Sequence, residues 1–118
     1  MSELNPVSGK TPLVFCLHDH PLADSLAKAM GVQRGEFSAR QFPDGESYLR
    51  ITSDVEGRAC IVVADLSHPN TKYLPLLFLV ETLRELGASQ VGLVTPYLSY
   101  MRQDRRFVEG EAITSKIF

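Results

Sequence analysis

Three arginines and a glutamine fall within five residues at Arg102-Gln103-Asp104-Arg105-Arg106. Such a density of planar, forked donors suits phosphate oxygens. The segment Pro96-Tyr97-Leu98-Ser99-Tyr100-Met101 leads into it from an apolar run ending at Thr95. In open α/β sheets ligands bind beyond the carboxyl ends of the strands, so a loop at this point is well sited for an anion. The same residues also read as a solvated, self-paired surface in which Asp104 neutralises one Arg and Glu109 or Glu111 another.

A second group is Phe42-Pro43-Asp44-Gly45-Glu46. Its ring could stack on a purine while its two carboxylates accept hydrogen bonds from the exocyclic amine. Composition by itself favours another reading, in which Phe42 staples a hairpin to the core, with Asp44 the acceptor of its own turn and Glu46 solvated. His18-Asp19-His20 puts two imidazoles at period two, a metal-ligand pattern without a third or fourth ligand at supporting spacing. The alternative is that Asp19 or His20 caps a helix opening at Pro21. Asp65 closes an apolar run where a phosphoacceptor or magnesium ligand sits in doubly wound folds, or else it caps a loop. In Ser67-His68-Pro69-Asn70, His68 reads as a turn residue and Asn70 as a helix N-cap. The common nucleotide loops (Gly-x-x-x-x-Gly-Lys-Ser/Thr and Gly-x-Gly-x-x-Gly) and the nucleophile elbow do not occur.

The elements that must hold these groups follow from periodicity. Apolar runs at Leu13 to Leu17, Cys60 to Ala64 and Val91 to Thr95 predict strands buried on both faces. Pro21 and Gly31 bound one helix with Leu22, Leu26, Ala29 and Met30 on its apolar face. A second helix spans about Tyr73 to Leu86, with Leu76, Leu79, Val80, Leu83 and Leu86 at helical spacing and Gly87 as its stop. Leu77 and Phe78 widen that face enough to call for two neighbours in the same chain or one in another chain, the second of which would be self-association. Pro43-Asp44-Gly45 is turn chemistry between Glu36 to Ser38 and Ser47 to Thr52, so a projecting hairpin is expected. Strands alternating with helices give an α/β, doubly wound, mostly parallel sheet. A last helical pattern starts at Ala112 and has no closing cap at Phe118, so the chain is expected to be part of a longer protein.

At 118 residues there is room for one core and no second full domain. Twelve Lys and Arg against 14 Asp and Glu leave a formal charge of -2, which provides no general basic field for nucleic acid. The longest apolar run, Leu74 to Val80, is far short of the roughly 20 residues that span a bilayer. Residues 1–11 read as a flexible polar tail without the pattern of a signal peptide, so a cytoplasmic protein is expected. Cys16 and Cys60 lie in apolar runs and read as reduced core thiols.

Phe42 to Glu46, Asp54-Val55-Glu56-Gly57-Arg58, and Pro96-Tyr97 through Arg102-Gln103-Asp104-Arg105 to Glu111-Ala112-Ile113-Thr114-Ser115-Lys116 together resemble the N-terminal half of ribose-phosphate pyrophosphokinases. The resemblance runs from about residue 36 to 118, with the motifs in order and at matching separations. It implies that residues 12–118 form most of the first of two phosphoribosyltransferase-like domains, with the second domain absent from this chain. It further implies transfer of diphosphate from ATP to the 1-hydroxyl of ribose 5-phosphate, with Mg2+ and release of AMP. In the family the flap reads adenine, so Phe42 would stack, Asp44 and Glu46 would accept the amine, and Gly45 would belong to the same nucleotide-binding turn. Arg102 and Gln103 would hold ATP, and Asp104 and Arg105 would brace their loop. The flap of such enzymes enters a neighbouring subunit's site, which implies a homo-oligomer. The family's metal-binding His and its ribose-phosphate loop belong to sequence beyond Phe118, so no metal ligand is assigned here. Two stretches depart from the family's usual pattern, His18-Asp19-His20-Pro21 and Asp65-Leu66-Ser67-His68-Pro69. A non-catalytic regulatory paralogue is the alternative reading, and a receiver-like role for Asp65 lacks the paired acidic residues expected after the first strand.

Overall fold

Short runs of Val, Ile and Leu bounded by polar turns favour buried strands, and the computed structural model, which describes residues 10–102 and 104–117, forms them. The chain begins with β1 (Leu13–Cys16), α1 (Pro21–Met30) and β2 (Gln33–Arg34). The hairpin strands β3 (Phe37–Gln41) and β4 (Ser47–Ile51) come next. Then follow β5 (Ala59–Val63), α2 (Tyr73–Glu85), β6 (Gln90–Val94) and α3 (Thr114–Ile117). The three long strands begin or end within one residue of their expected positions. β2 was not expected: two polar-containing residues are too few to show a period, and only parallel pairing with Leu13 and Val14 reveals them.

The main sheet is wholly parallel, in the order β2-β1-β5-β6, and β3-β4 form a separate antiparallel pair. The chain steps from β1 to β2 on one side and later to β5 on the other, so the strand order reverses between β1 and β5. Ligands of doubly wound sheets bind outside the carboxyl ends of strands at such a reversal.

Alternation along β1 divides the core into two layers. Phe15 points to one face, where Cys60 and Val62 of β5 meet Leu76, Leu79 and Leu83 of α2. Val14 and Cys16 point to the other, where Ile61 and Val63 meet Ala23 and Ala27 of α1. Each fully buried Leu or Phe contributes about 1.5–3 kcal/mol, so these two strands and two helices fix the frame.

The ends of α1 follow the expected chemistry. His20 is extended, with φ -152°, and its Nδ1 accepts the Leu22 N–H at 3.1 Å while Pro21 occupies the first turn. Gly31 closes the helix at φ 71°. The start of α2 corrects one expectation, because Asn70 is not its N-cap. Pro69 begins a 3-10 turn over Pro69–Thr71, which carries Asn70 past the capping position and leaves Lys72 there without a side-chain cap.

The hairpin is fixed to the sheet by a close approach. The Gly35 N–H donates to the Val14 carbonyl at 2.8 Å. A Cβ at position 35 would fall 2.3 Å from Cζ of Phe15, which is fully buried. Gly35→Ala is therefore expected to destabilise the fold by about 1–3 kcal/mol through overpacking. Urea denaturation checks this, with Gly92→Ala, where an added Cβ meets nothing within 4 Å, as the control that leaves the midpoint nearly unmoved.

Candidate functional site

The hairpin tip is built by its own turn. Gly45 adopts φ 94°, which its lack of a side chain permits. Its N–H donates to the Phe42 carbonyl at 2.8 Å, and the Phe42 N–H donates to the Glu46 carbonyl at 2.7 Å. Asp44 Oδ1 accepts the Glu46 N–H at 3.0 Å, so one carboxylate oxygen serves the turn. Asp44 Oδ2 and the exposed Glu46 carboxylate form no hydrogen bond or ion pair among the described residues.

Register decides where Phe42 goes. Directly opposed residues share a face, and Phe37 with Ile51, and Ala39 with Leu49, form the inner one. Phe37, Leu49 and Ile51 pack against the α2 side of the core. Arg40 and Tyr48 oppose each other on the outer face, and Phe42 joins them with 39% of its surface exposed. Phe42 is thus no staple to the core. Its ring meets Tyr48 edge-on at 83° and 5.9 Å, and the Arg40 guanidinium lies 4.5 Å from the Tyr48 centroid and 5.1 Å from that of Phe42. An edge-on ring pair contributes about 0.5–1.5 kcal/mol and an exposed cation–π contact about 0.5–1 kcal/mol. Sequence reading missed Arg40 and Tyr48; the available signal was the period of two from Arg40 to Phe42 and the turn length that sets Tyr48 opposite.

The second predicted group lies beyond β6. The Ala64 N–H donates to the Val94 carbonyl and the Leu66 N–H to the Tyr97 carbonyl, each at 3.0 Å, so the start of the loop is fastened to the end of β5. Tyr100 sits at φ 63°, a region unfavourable for a bulky residue. Its hydroxyl donates to Asn70 Oδ1, which holds the loop against the turn before α2. Arg102 is exposed and enters no ion pair among the described residues. Arg105 covers the Phe107 ring at 4.8 Å. Arg106 donates to the Glu111 carbonyl at 2.9 Å, and Glu111 Oε1 accepts the Phe107 and Val108 N–H groups. The far part of the loop is thus held by hydrogen bonds to the Glu111 backbone and carboxylate, while Asp104 is exposed and Gln103 lies outside the described residues.

The remaining candidates have structural partners. Asp65 Oδ1 accepts the Ser67 N–H at 2.9 Å, and hydrogen bonds from Ser67 hold its carboxyl below the usual 3.8, so it is a loop cap. His20 spends Nδ1 on the helix start. No group of three or more His, Cys, Asp or Glu among the described residues could hold a metal. Asp54 Oδ1 accepts the Glu56 N–H, and Arg58 donates to the Asp54 and Thr11 carbonyls at 2.9 Å, so that motif closes the turn into β5. Cys16 and Cys60 are buried and unbridged, with burial pushing the Cys60 thiol up to about 11. No helix among the described residues is long and apolar enough to cross a membrane.

Comparison with known proteins bears on this geometry. The family described as the N-terminal domain of ribose phosphate pyrophosphokinase matches residues 13–118. The chain is 43% identical to the ribose-phosphate pyrophosphokinase of Saccharolobus solfataricus over 94 residues, covering 79% of this chain and 32% of that one. It is 35% identical to the enzyme of the same name from Bacillus subtilis over 116 residues, covering 97% and 37%. It thus spans about a third of the length of these curated relatives. A crystal structure of phosphoribosylpyrophosphate synthetase from Mycobacterium smegmatis matches with a TM-score of 0.82 at 27% identity, covering 92% of this chain and 37% of that one. A hypoxanthine phosphoribosyltransferase from Staphylococcus aureus, at 17% identity and a TM-score of 0.50, shares the fold.

At the end of β1, burial first and the Lys72 charge second lower the pKa of His18 below its ordinary 6.5. The unfolded chain therefore takes up this proton first as pH falls, and stability is lost from 6.5 downward until the folded His18 also protonates. Replacing the imidazole by His18→Gln is expected to flatten this part of the loss. Urea midpoints taken from about pH 7.5 to about pH 5.5 should fall less for the variant than for the parent chain.

Proposed function

Because the chain belongs to the ribose-phosphate pyrophosphokinase family through its N-terminal domain, we propose that it carries the ATP-binding half of a ribose-phosphate diphosphokinase. The reaction transfers diphosphate from ATP to the 1-hydroxyl of ribose 5-phosphate and releases AMP. Residues 12–118 are then most of the first of two phosphoribosyltransferase-like domains, and the ribose-phosphate site belongs to sequence beyond Phe118.

The observation that carries this reading is the hairpin tip. An exposed ring with a free carboxylate oxygen of Asp44 and the Glu46 carboxylate beside it offers a stacking plane and acceptors at its edge. That combination suits an adenine ring and its exocyclic amine. Phe42 stacks, Asp44 and Glu46 accept, and Gly45 gives the turn its shape. Arg102 and Gln103 bind the polyphosphate, and Asp104 and Arg105 brace the loop, Arg105 by lying over Phe107.

Diphosphoryl transfer asks a protein chiefly for charge neutralisation and in-line placement. A guanidinium on a loop fastened at Tyr97 and Tyr100 meets the first demand. Mg2+ bound to the nucleotide would neutralise part of its phosphate charge. The described residues hold no ligand cluster for it.

α2 leaves Tyr73, Leu74, Leu77 and Phe78 exposed by 38 to 53%. A second copy covering that face would form the homo-oligomer in which a flap reaches a neighbouring site. The two buried, unbridged thiols agree with a reducing cytoplasm.

The complete gene product, given ATP, ribose 5-phosphate and Mg2+, is expected to release AMP, and the 118-residue chain alone is expected to release none. No AMP above background from the complete product would point instead to a regulatory copy. Arg102→Ala in the complete product is expected to weaken ATP binding by about 1.5–3 kcal/mol, as for a charged hydrogen bond. Calorimetric titration measures it, and an unchanged affinity would remove Arg102 from the site.

A further inference from the structure

On the outer face of the hairpin, strand alternation and register bring together three side chains that lie apart in sequence. Arg40 and Phe42 share one side of β3 and its extension, and Tyr48 stands directly across from Arg40. The guanidinium lies over both rings, nearer to Tyr48 at 4.5 Å than to Phe42 at 5.1 Å. Arg40 forms no ion pair among the described residues, so its attachment on this face is to the two rings. Tyr48 is half-buried whereas Arg40 and Phe42 are exposed, which makes Tyr48 the fixed member of the three.

We propose that Arg40 is a positioning residue for the base of the bound nucleotide: anchored on Tyr48, its guanidinium backs Phe42 and leaves the opposite face of that ring for the purine. The inference rests on Phe42 being the stacking ring. A phenyl side chain on an exposed turn has several rotamers, and a planar cation held against one face selects among them before the ligand arrives. The cation also draws ring electron density toward itself, which favours an electron-rich purine on the other face. Arg40 acts through Phe42 and touches neither the polyphosphate nor the reacting atoms. A ligand without a base should therefore be indifferent to it.

The test uses the complete gene product and two probes, ATP and inorganic tripolyphosphate, with dissociation constants from calorimetry so that turnover is not required. Arg40→Met keeps the length of the side chain and removes its planar charge. It is expected to weaken ATP binding by about threefold to fivefold and to leave tripolyphosphate binding unchanged. Arg40→Lys should recover part of the loss, and Tyr48→Leu should reproduce it. Phe42→Ala serves as the reference. If Phe42→Ala weakens ATP binding and Arg40→Met does not, the positioning role is overturned and the stacking role stands. If neither variant changes it, both fall. If Arg40→Met weakens tripolyphosphate to the same extent as ATP, Arg40 is a phosphate contact and the proposal is wrong.

Discussion

The ring of Phe15 occupies the space that any side chain at position 35 would need. Phe15 is fully buried on the central strand β1, and Phe37 lies against it at 6.1 Å between centroids. This one close approach lets the backbone pass from β2 to the hairpin directly over the sheet. It also determines which face of the hairpin turns inward. With Phe37 committed to the core, alternation sends Leu49 and Ile51 inward with it and turns Arg40, Phe42 and Tyr48 outward. The orientation of the proposed base-reading ring is thus a consequence of packing five residues earlier in the chain.

A similar chain of constraint runs along the carboxyl edge of the sheet. His68 and Tyr100 both have positive φ, at 51° and 63°. Backbone strain of this kind, about 1–3 kcal/mol for each residue, persists only where surrounding contacts enforce it. For Tyr100 those contacts are the hydroxyl bond to Asn70 and the backbone bond from Leu66 to Tyr97. The strain at Tyr100 is therefore borne by the loop that carries Arg102, and the contacts that enforce it come from the segment between β5 and α2. The two departures from the family pattern, around His18 and around Asp65, lie on this same edge. Both make local structure: one caps α1 and the other caps a loop.

What could be read from the sequence was whatever repeats or punctuates. Five-residue apolar runs located β1, β5 and β6, and Pro21 with Gly31 bounded α1, because each rule depends on neighbours in the chain. The wide apolar face of α2 was visible in Leu77 and Phe78 for the same reason. Asn70 was misread because Pro69 starts a 3-10 turn that carries it past the capping position, where its side chain accepts from a tyrosine thirty residues later. β2 was invisible because two residues have no period. For Phe42 composition favoured the core-staple reading over stacking, and the outward position became visible only from the register between β3 and β4. Arg40 and Tyr48 required the same knowledge, since cross-strand neighbours are set by the turn and not by their own residue types.

A two-stranded hairpin by itself is marginal in water. Here the inner face is supported by α2 and the core, whereas on the outer face Arg40 lies over the rings of Phe42 and Tyr48. That asymmetry suits an element that must be complete in shape but incomplete in contacts. An inner face whose Phe37, Leu49 and Ile51 pack against the core holds the hairpin, and an outer face held by weak contacts of about 1 kcal/mol each leaves ring surface to be covered by something else. Were Phe42 instead folded inward, the hairpin would gain burial and lose the stacking plane beside Asp44 and Glu46. The exposed ring is therefore a local sacrifice of stability, and the proposed binding of a purine there is the event that recovers it.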